Sequence, residues 1–348
     1  MSPVHFSSSP SGSDAPLFQG RVTAKSLAET IGVATSTITR AFDEKSRISA
    51  VLRQRILTMA DELGYRPNAL ARSLNRRQTG IVALVIGDMA NPFYPAVIEQ
   101  FSLQLREAGR QMLLFVVPQG GDADELMPQL LQYQVDAIVV TAARLSSHMS
   151  SLCGRQGVPV VFMNRRVEDP TVWSVCSNNE RMGTAVAEYL VSKNRRACAF
   201  VSGDRSVSTT KDRLNGFERG LATHGQQLVA CVPGYYTYEG GRAAAACLFE
   251  TGQPGVDAVF CANDVMALGV LSHVRMNTSL RIPEDVAVVG FDDIPAAAYP
   301  ENDLTTVHQP VGEMIDCVIR LLDEGRPAGC VIQALREVPA RLVFRSSA

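Results

Sequence analysis

Five of the six residues from Thr35 to Arg40 carry a hydroxyl or a guanidinium: Thr35, Ser36, Thr37, Thr39 and Arg40. Without a base or metal beside them such groups do no covalent chemistry, but they can donate to and accept from base edges and phosphate oxygens. Helical spacing turns Ile38, Ala41 and Phe42 to one face and leaves the polar five on the other. A thin helix with short polar side chains at its start can enter a major groove about 12 Å wide. A compact three-helix module with solvated outer faces and no nucleic-acid partner would show the same pattern, so the flanking residues carry the argument.

Those residues supply the elements that would hold the polar helix. Thr23 can cap a first helix whose Leu27, Ala28 and Ile31 share a face, and Gly32 breaks it. A second helix from about Thr35 then completes a helix-turn-helix. A third, capped by Ser49 and stopped by Gly64, is apolar at Leu52, Ile56, Met59, Ala60 and Leu63. Pro67 and Asn68 can start a short helix through Leu74, too short to be stable in water without packing. Residues 21–78 hold eleven Lys or Arg against five Asp or Glu, a net of +6 in a chain whose total is −2. A basic head on an acidic body fits phosphate binding at one end. Residues 1–20, rich in Ser, Pro and Gly, read as a disordered tail and not a signal peptide.

From Gly80 onward short apolar runs alternate with amphipathic stretches. Runs at residues 81–86, 112–117, 137–140 and 158–162 read as strands buried on both faces of a parallel sheet, with helices near 95–108, 123–133 and 146–156 between them. A second series has strands at 197–201, 258–261 and 286–289. The expected fold is an all-α headpiece followed by an α/β core of two doubly wound parallel-sheet lobes. Ligands of such sheets bind beyond the C-terminal strand ends. There stand Phe93 and Tyr94 of Asn91-Pro92-Phe93-Tyr94, Thr141, Asn164, Arg165, Asn263 and Asp292. Carboxylate, amide and guanidinium groups with aromatic faces suit a polyhydroxylated guest. Plainer roles stand beside these: Phe93 or Tyr94 as core, Asn263 as a helix cap, and Asp293 as a solvated loop charge.

Several classes lack their motifs. There is no Gly-x-Ser-x-Gly elbow, phosphate-binding loop, His-Glu-x-x-His or Gly-x-Gly-x-x-Gly opening a crossover, and the adjacent Asp292 and Asp293 make a poor acid/base pair. The eight cysteines form no Cys-x-x-Cys pair and read as buried reduced thiols; the five histidines show no ligand spacing. No metal or cofactor is expected. No segment reaches the roughly 18 apolar residues of a membrane span, and a cytoplasmic protein is expected.

The strings GVATSTITR, ELGYRPNALARSL, NPFY, RLNGF, ANDVMALG, IPEDVAVVGFDD, LTTVHQP and PARLVFR, in this order, resemble the LacI/GalR (lac repressor) family of bacterial transcription regulators over nearly all the chain after residue 20. The resemblance implies a helix-turn-helix domain at 21–66, a hinge helix and linker at 67–79, and a periplasmic-binding-protein-like core at 80–348. Lobe 1 would span about 80–177 and 307–327, and lobe 2 about 178–306 and 328–348. The chain would cross between lobes near Ser177, near 307–310 and near 327–330. Arg213 matches the position whose guanidinium reaches the ligand, and Tyr236 the aromatic that closes the pocket. Thr23, Thr35, Ser36, Thr37, Thr39, Arg40 and Ser49 would face double-stranded operator DNA. With them go Asn68, Ala71, Arg72 and Leu74 of the hinge, Leu74 wedging into the minor groove.

The implied function is a homodimeric repressor on a palindromic operator, controlled by a small-molecule effector, a sugar or sugar derivative, in the interlobe cleft. Arg144, Arg165 and Arg166 would also admit a sugar acid. Alternatives are an effector-promoted DNA binder of corepressor type, taking a nucleobase or other metabolite, a ligand-binding protein without DNA, and an enzyme descended from the fold. Two departures matter. Ala34 stands where a Ser is usual, so the N-cap of the second helix is expected to pass to Thr35, and Leu52 replaces a common phosphate-binding Thr.

Overall fold

A computed structural model of the 348-residue chain describes residues 22–43, 46–67, 78–118, 121–169, 172–250, 255–324 and 335–348. The chain divides into two compact units, Met1–Thr79 and Gly80–Ala348.

In the first unit α1 (Ala24–Ile31) opens with a reciprocal cap: the Ser26 amide donates to Thr23 Oγ1 at 3.1 Å, and the Thr23 amide to Ser26 Oγ at 3.0 Å. Gly32, at φ +77°, takes the left-handed turn that ends it. Helix α2 (Thr35–Ala41) follows at once, and here the expected cap is corrected. Ala34, not Thr35, is the N-cap: its carbonyl accepts from the Thr37 amide at 2.8 Å, so Thr35 is already the first helical residue and no side chain caps the helix. Helix α3 (Ala50–Glu62) starts on Ser49, whose Oγ accepts from the Leu52 amide at 3.3 Å. Leu27, Ala28, Ile31, Ile38, Ala41, Ile56 and Ala60 bury between the helices with Tyr65, which meets Phe42 edge-on. Arg53 ties the α2–α3 connection by donating to the carbonyls of Asp43 (3.0 Å) and Ser46 (2.9 Å).

The second unit holds two parallel sheets. The first has order β2 (Gln111–Val116), β1 (Ile81–Ile86), β3 (Ala137–Thr141), β4 (Val160–Met163), β5 (Trp173–Ser177), β11 (Leu335–Val338). The second has order β7 (Ala230–Pro233), β6 (Cys198–Ser202), β8 (Ala258–Cys261), β9 (Ala287–Val289). β10 (Thr306–His308) and β12 (Arg341–Val343) form a short antiparallel pair. Crossovers run through α4 (Phe93–Glu107), α5 (Met127–Gln132), α6 (Ser147–Arg155), α7 (Asn179–Ser192), α8 (Ser208–Thr223), α9 (Tyr238–Glu250), α10 (Asp264–Asn277) and α11 (Val311–Glu324). Alternation along β1 shows why its run is continuous: Val82 and Leu84 pack in one core and Ala83 and Val85 in another. β2 departs from that expectation, because as an edge strand it leaves Leu114 and Val116 exposed.

The third crossing also departs. Leu335–Val338 pairs parallel with β5 in the first sheet, so this stretch belongs to lobe 1 and not to an expected lobe 2 of 328–348. The outer edge of β5 offers free backbone groups, and the returning chain fills them before it crosses at Pro339–Ala340. Residues 327–330 lie outside the described set. The crossings are bonded to one another: the Ala340 amide donates to Asn178 Oδ1 at 2.9 Å, and Ser177 Oγ to Gln309 Oε1 at 2.8 Å.

Candidate functional site

Parallel strands of both lobes end at one cleft, which encloses a cavity of about 730 Å³. From lobe 1 it is lined by Asp88, Asn91, Tyr94, Asn164 and Arg165; from lobe 2 by Ser202 to Arg205, Thr209, Arg213, Tyr235, Tyr236, Asn263 and Asp292.

Arg213, on α8 and 2 % exposed, forms the floor. Its guanidinium stacks 3.5 Å above the Phe291 ring, its Nε donates to Asn179 Oδ1 at 2.8 Å, and Nη1 donates to the Ala262 carbonyl. Nη1 lies 3.9 Å from Asp292 Oδ1. Asp292 sits just past β9 at φ +128°, a conformation rare for a side-chain-bearing residue. Its amide holds the Val307 carbonyl at 2.9 Å, while its carboxylate accepts from Gln309 Nε2 at 2.7 Å and Asn91 Nδ2 at 3.4 Å. Strain fixed by surrounding bonds at a cleft is a common mark of a working site.

Burial pushes the Asp292 carboxyl above the ordinary range, with Arg213 pulling it back. Asp264, wholly buried one layer behind, is raised by burial and then by the charge of Asp292. It accepts from Thr306 Oγ1 at 2.5 Å and from the Ile294 amide at 2.9 Å.

The remaining expected residues divide. Asn164, at φ +60° after β4, leaves Oδ1 buried without a partner, and Asn263 leaves Nδ2 in the same state. Asn263 also caps α10, its Oδ1 accepting from the Met266 amide at 2.9 Å, so the plainer role and the cavity position coexist. Arg165 lines the cavity while donating to the Ala143 carbonyl at 3.0 Å. Burial, then the charge of Asp292, raises the Tyr94 phenol. Tyr236 fixes its hydroxyl against Thr209 (3.1 Å) and Thr210 (2.5 Å).

Two expected residues do not reach the cavity. Phe93, the first residue of α4, is core: it is 4 % exposed, belongs to the cluster that holds Leu84 and Val97, and meets Tyr94 edge-on. Thr141 is buried at the end of β3, and the lining passes to Ala142. Asp293 is no solvated charge: it accepts from Arg345 at 2.7 Å and meets His308 Nδ1 at 2.9 Å. Arg166 turns from the cavity to bridge the lobes, its amide donating to Ser208 Oγ (2.8 Å) and its guanidinium to Asp212 (2.7 Å).

In the first unit Thr35, Ser36, Thr39 and Arg40 are exposed along α2, as expected, and Thr37 is half-buried. Arg40 donates to the Arg47 carbonyl, a brace not foreseen. Thr23 and Ser49 are exposed caps; Asn68, Ala71, Arg72 and Leu74 lie outside the described residues. Among the described residues no His, Cys, Asp or Glu cluster could hold a metal ion, and no helix is long and apolar enough to cross a membrane. Among the described residues seven cysteines stand outside any disulfide, and Cys247 is exposed and Cys231 and Cys317 half-buried, against the expectation that all are buried.

A family model described as bacterial regulatory proteins, lacI family, matches residues 23–68. Another, described as periplasmic binding proteins and sugar binding domain of LacI family, matches residues 79–321. The chain belongs to the LacI family. Similar members include the transcriptional regulator CelR of Thermobifida fusca, 31 % identical over 311 residues (87 % of this chain, 91 % of the relative). The transcriptional repressor PurR of Photobacterium profundum is 26 % identical over 310 residues (87 % and 91 %). A lac repressor dimer bound to operator and the anti-inducer ONPF superposes with TM-score 0.83 at 22 % identity, covering 94 % of this chain and 99 % of that one, a likeness of fold. A CelR–cellobiose complex gives 0.69 at 27 % identity, covering 94 % and 100 %. This LacI-family chain is a DNA-binding transcriptional regulator and not an enzyme.

Proposed function

We propose that the chain is a cytoplasmic repressor that binds a two-fold symmetric operator as a homodimer, and that a sugar or sugar derivative in the cleft changes that grip. One observation carries the effector reading. Asn164 Oδ1 on lobe 1 and Asn263 Nδ2 on lobe 2 are buried without partners, one an acceptor and the other a donor. Buried polar groups are rarely left unpaired. A hydroxylated guest, each OH both donor and acceptor, satisfies them together and touches both lobes, as Arg213 and Asp292 beside them also invite. That the similar CelR has been solved with cellobiose supports a carbohydrate. A ligand spanning both lobes favours one lobe geometry over another, which regulation requires.

On the DNA side, Thr35, Ser36, Thr37, Thr39 and Arg40 read the groove, with Thr23 and Ser49 at phosphates. Residues 67–79 link reader to sensor, with Asn68, Ala71, Arg72 and Leu74 contacting the operator. Selection of a binding site from a random palindromic library, followed by gel-shift titration with and without candidate sugars, tests the reading. The expected result is a preferred site whose occupancy moves with one sugar; a chain that selects no site rejects it.

A further inference from the structure

The cavity has two ends of unlike character. At the inner end Arg213, Asp292, Asn263 and Asn91 are all buried. The opposite end is built by the segments that follow β6 and β7, where Asp204, Arg205 and Tyr235 line the cavity yet are exposed, Tyr235 by 67 %.

Tyr235 and Tyr236 occupy consecutive left-handed conformations, φ +53° and +62°. Bulky residues seldom adopt one such conformation, let alone two in succession. What each tyrosine gains is different. Tyr236 packs its ring where a side chain on Gly203 would stand, a Cβ there falling 2.1 Å from Cζ, and both threonines hold its hydroxyl. It is a fixed wall. Tyr235 is anchored through its backbone, the amide donating to the Ser202 carbonyl at 3.2 Å. Among the described residues its hydroxyl has no partner. An aromatic residue held at a cavity rim by its backbone, with its side chain uncommitted, is a stacking surface awaiting a guest.

Volume points the same way. About 730 Å³ lies in the upper part of the roughly 300–1,000 Å³ that ligand pockets span, more than one hydroxylated six-membered ring fills. Asp204 and Arg205 bring a carboxylate acceptor, which also accepts from the Ser206 amide at 2.8 Å, and a guanidinium donor to this end, groups that suit the hydroxyls of a sugar ring. We propose that Tyr235, Asp204 and Arg205 form an outer subsite for a second sugar ring, so that the effector is a disaccharide-sized glycoside whose first ring occupies the Arg213–Asp292 end. This rests on the carbohydrate reading of the cleft.

The test is calorimetric titration of the full chain with glucose, galactose and fructose, and with cellobiose, maltose, lactose, sucrose and trehalose, for the wild type, Tyr235→Ala and Tyr235→Phe. At least one disaccharide binds about tenfold or more tightly than either of its component monosaccharides. Tyr235→Ala loses about five- to tenfold for that disaccharide, the scale of one aromatic contact, with little change for the monosaccharides. Tyr235→Phe keeps the affinity, since the ring face makes the contact. The subsite is overturned if no disaccharide outbinds its components, or if Tyr235→Ala spares the disaccharide or weakens both sizes equally. If no sugar of either size binds, the carbohydrate reading falls as well.

Discussion

Arg213→Met keeps an unbranched side chain over Phe291 but removes the charge between Asn179, the Ala262 carbonyl and Asp292. Taking one partner from a buried ion pair costs roughly 3–5 kcal/mol. For a folding unit of this size that lowers the melting temperature by on the order of 10 °C. The penalty depends on pH because the group left behind can protonate. Asp292 titrates in the folded chain above its unfolded value of about 3.9, chiefly because it is buried, and without Arg213 it rises further. A carboxyl raised in this way favours folding below its unfolded value and loses that contribution as pH climbs through the folded one. The gap between wild type and Arg213→Met is therefore smallest near pH 4.5, where what remains is the pH-independent loss of the bonds to Asn179 and the Ala262 carbonyl, and it widens as pH climbs through the folded value of Asp292, about 6, and the higher one of the variant. Scanning calorimetry of both proteins across that range, following the transition of the Gly80–Ala348 unit, measures it. A gap that ignores pH, or that stays under about 2 °C at pH 8, refutes the view of Arg213 as counter-ion to a buried carboxylate.

Two further substitutions bear on the cleft. Arg166→Gln breaks a partly exposed pair joining the lobes, so stability falls by no more than about 1 kcal/mol; the effector concentration needed for half-response shifts by about two- to fivefold, and an unchanged dose–response in gel shift argues against an interlobe role. Gly203→Ala drives a methyl into the Tyr236 ring, costing about 1–3 kcal/mol in a calorimetric melt and weakening effector binding; a variant that melts and binds as wild type removes Tyr236 as a fixed wall.

Much of the architecture could be read from residue spacing, and what could not has a physical reason. Strands buried on both faces, such as β1, β3 and β8, declare themselves as unbroken apolar runs. β5 interleaves Ser174 and Ser177 with its apolar residues, β7 is half-exposed, and β11 carries Arg336 and Glu337 on a sheet edge, so none has a run to notice. The site inherits this division. Asn164, Arg165, Asn263 and Asp292 follow strands that could be read, whereas Tyr235 follows unread β7 and Gln309 unread β10. Arg213 and Tyr236 came from family motifs, because nothing in the periodicity of α8 separates a ligand-facing arginine from a solvated one. The guanidinium's partners, Asn179 and Phe291, are distant in sequence and become visible only in three dimensions.

Coupling between cleft and DNA is reciprocal by thermodynamic necessity. The most direct measurement is therefore a pair of titrations: operator affinity at zero and saturating sugar, and sugar affinity at zero and saturating operator. The same factor, about 5–150-fold, should separate the two members of each pair, with operator and effector opposing each other. A sugar that binds the cleft equally well whether or not operator is present would contradict control of DNA binding from this site.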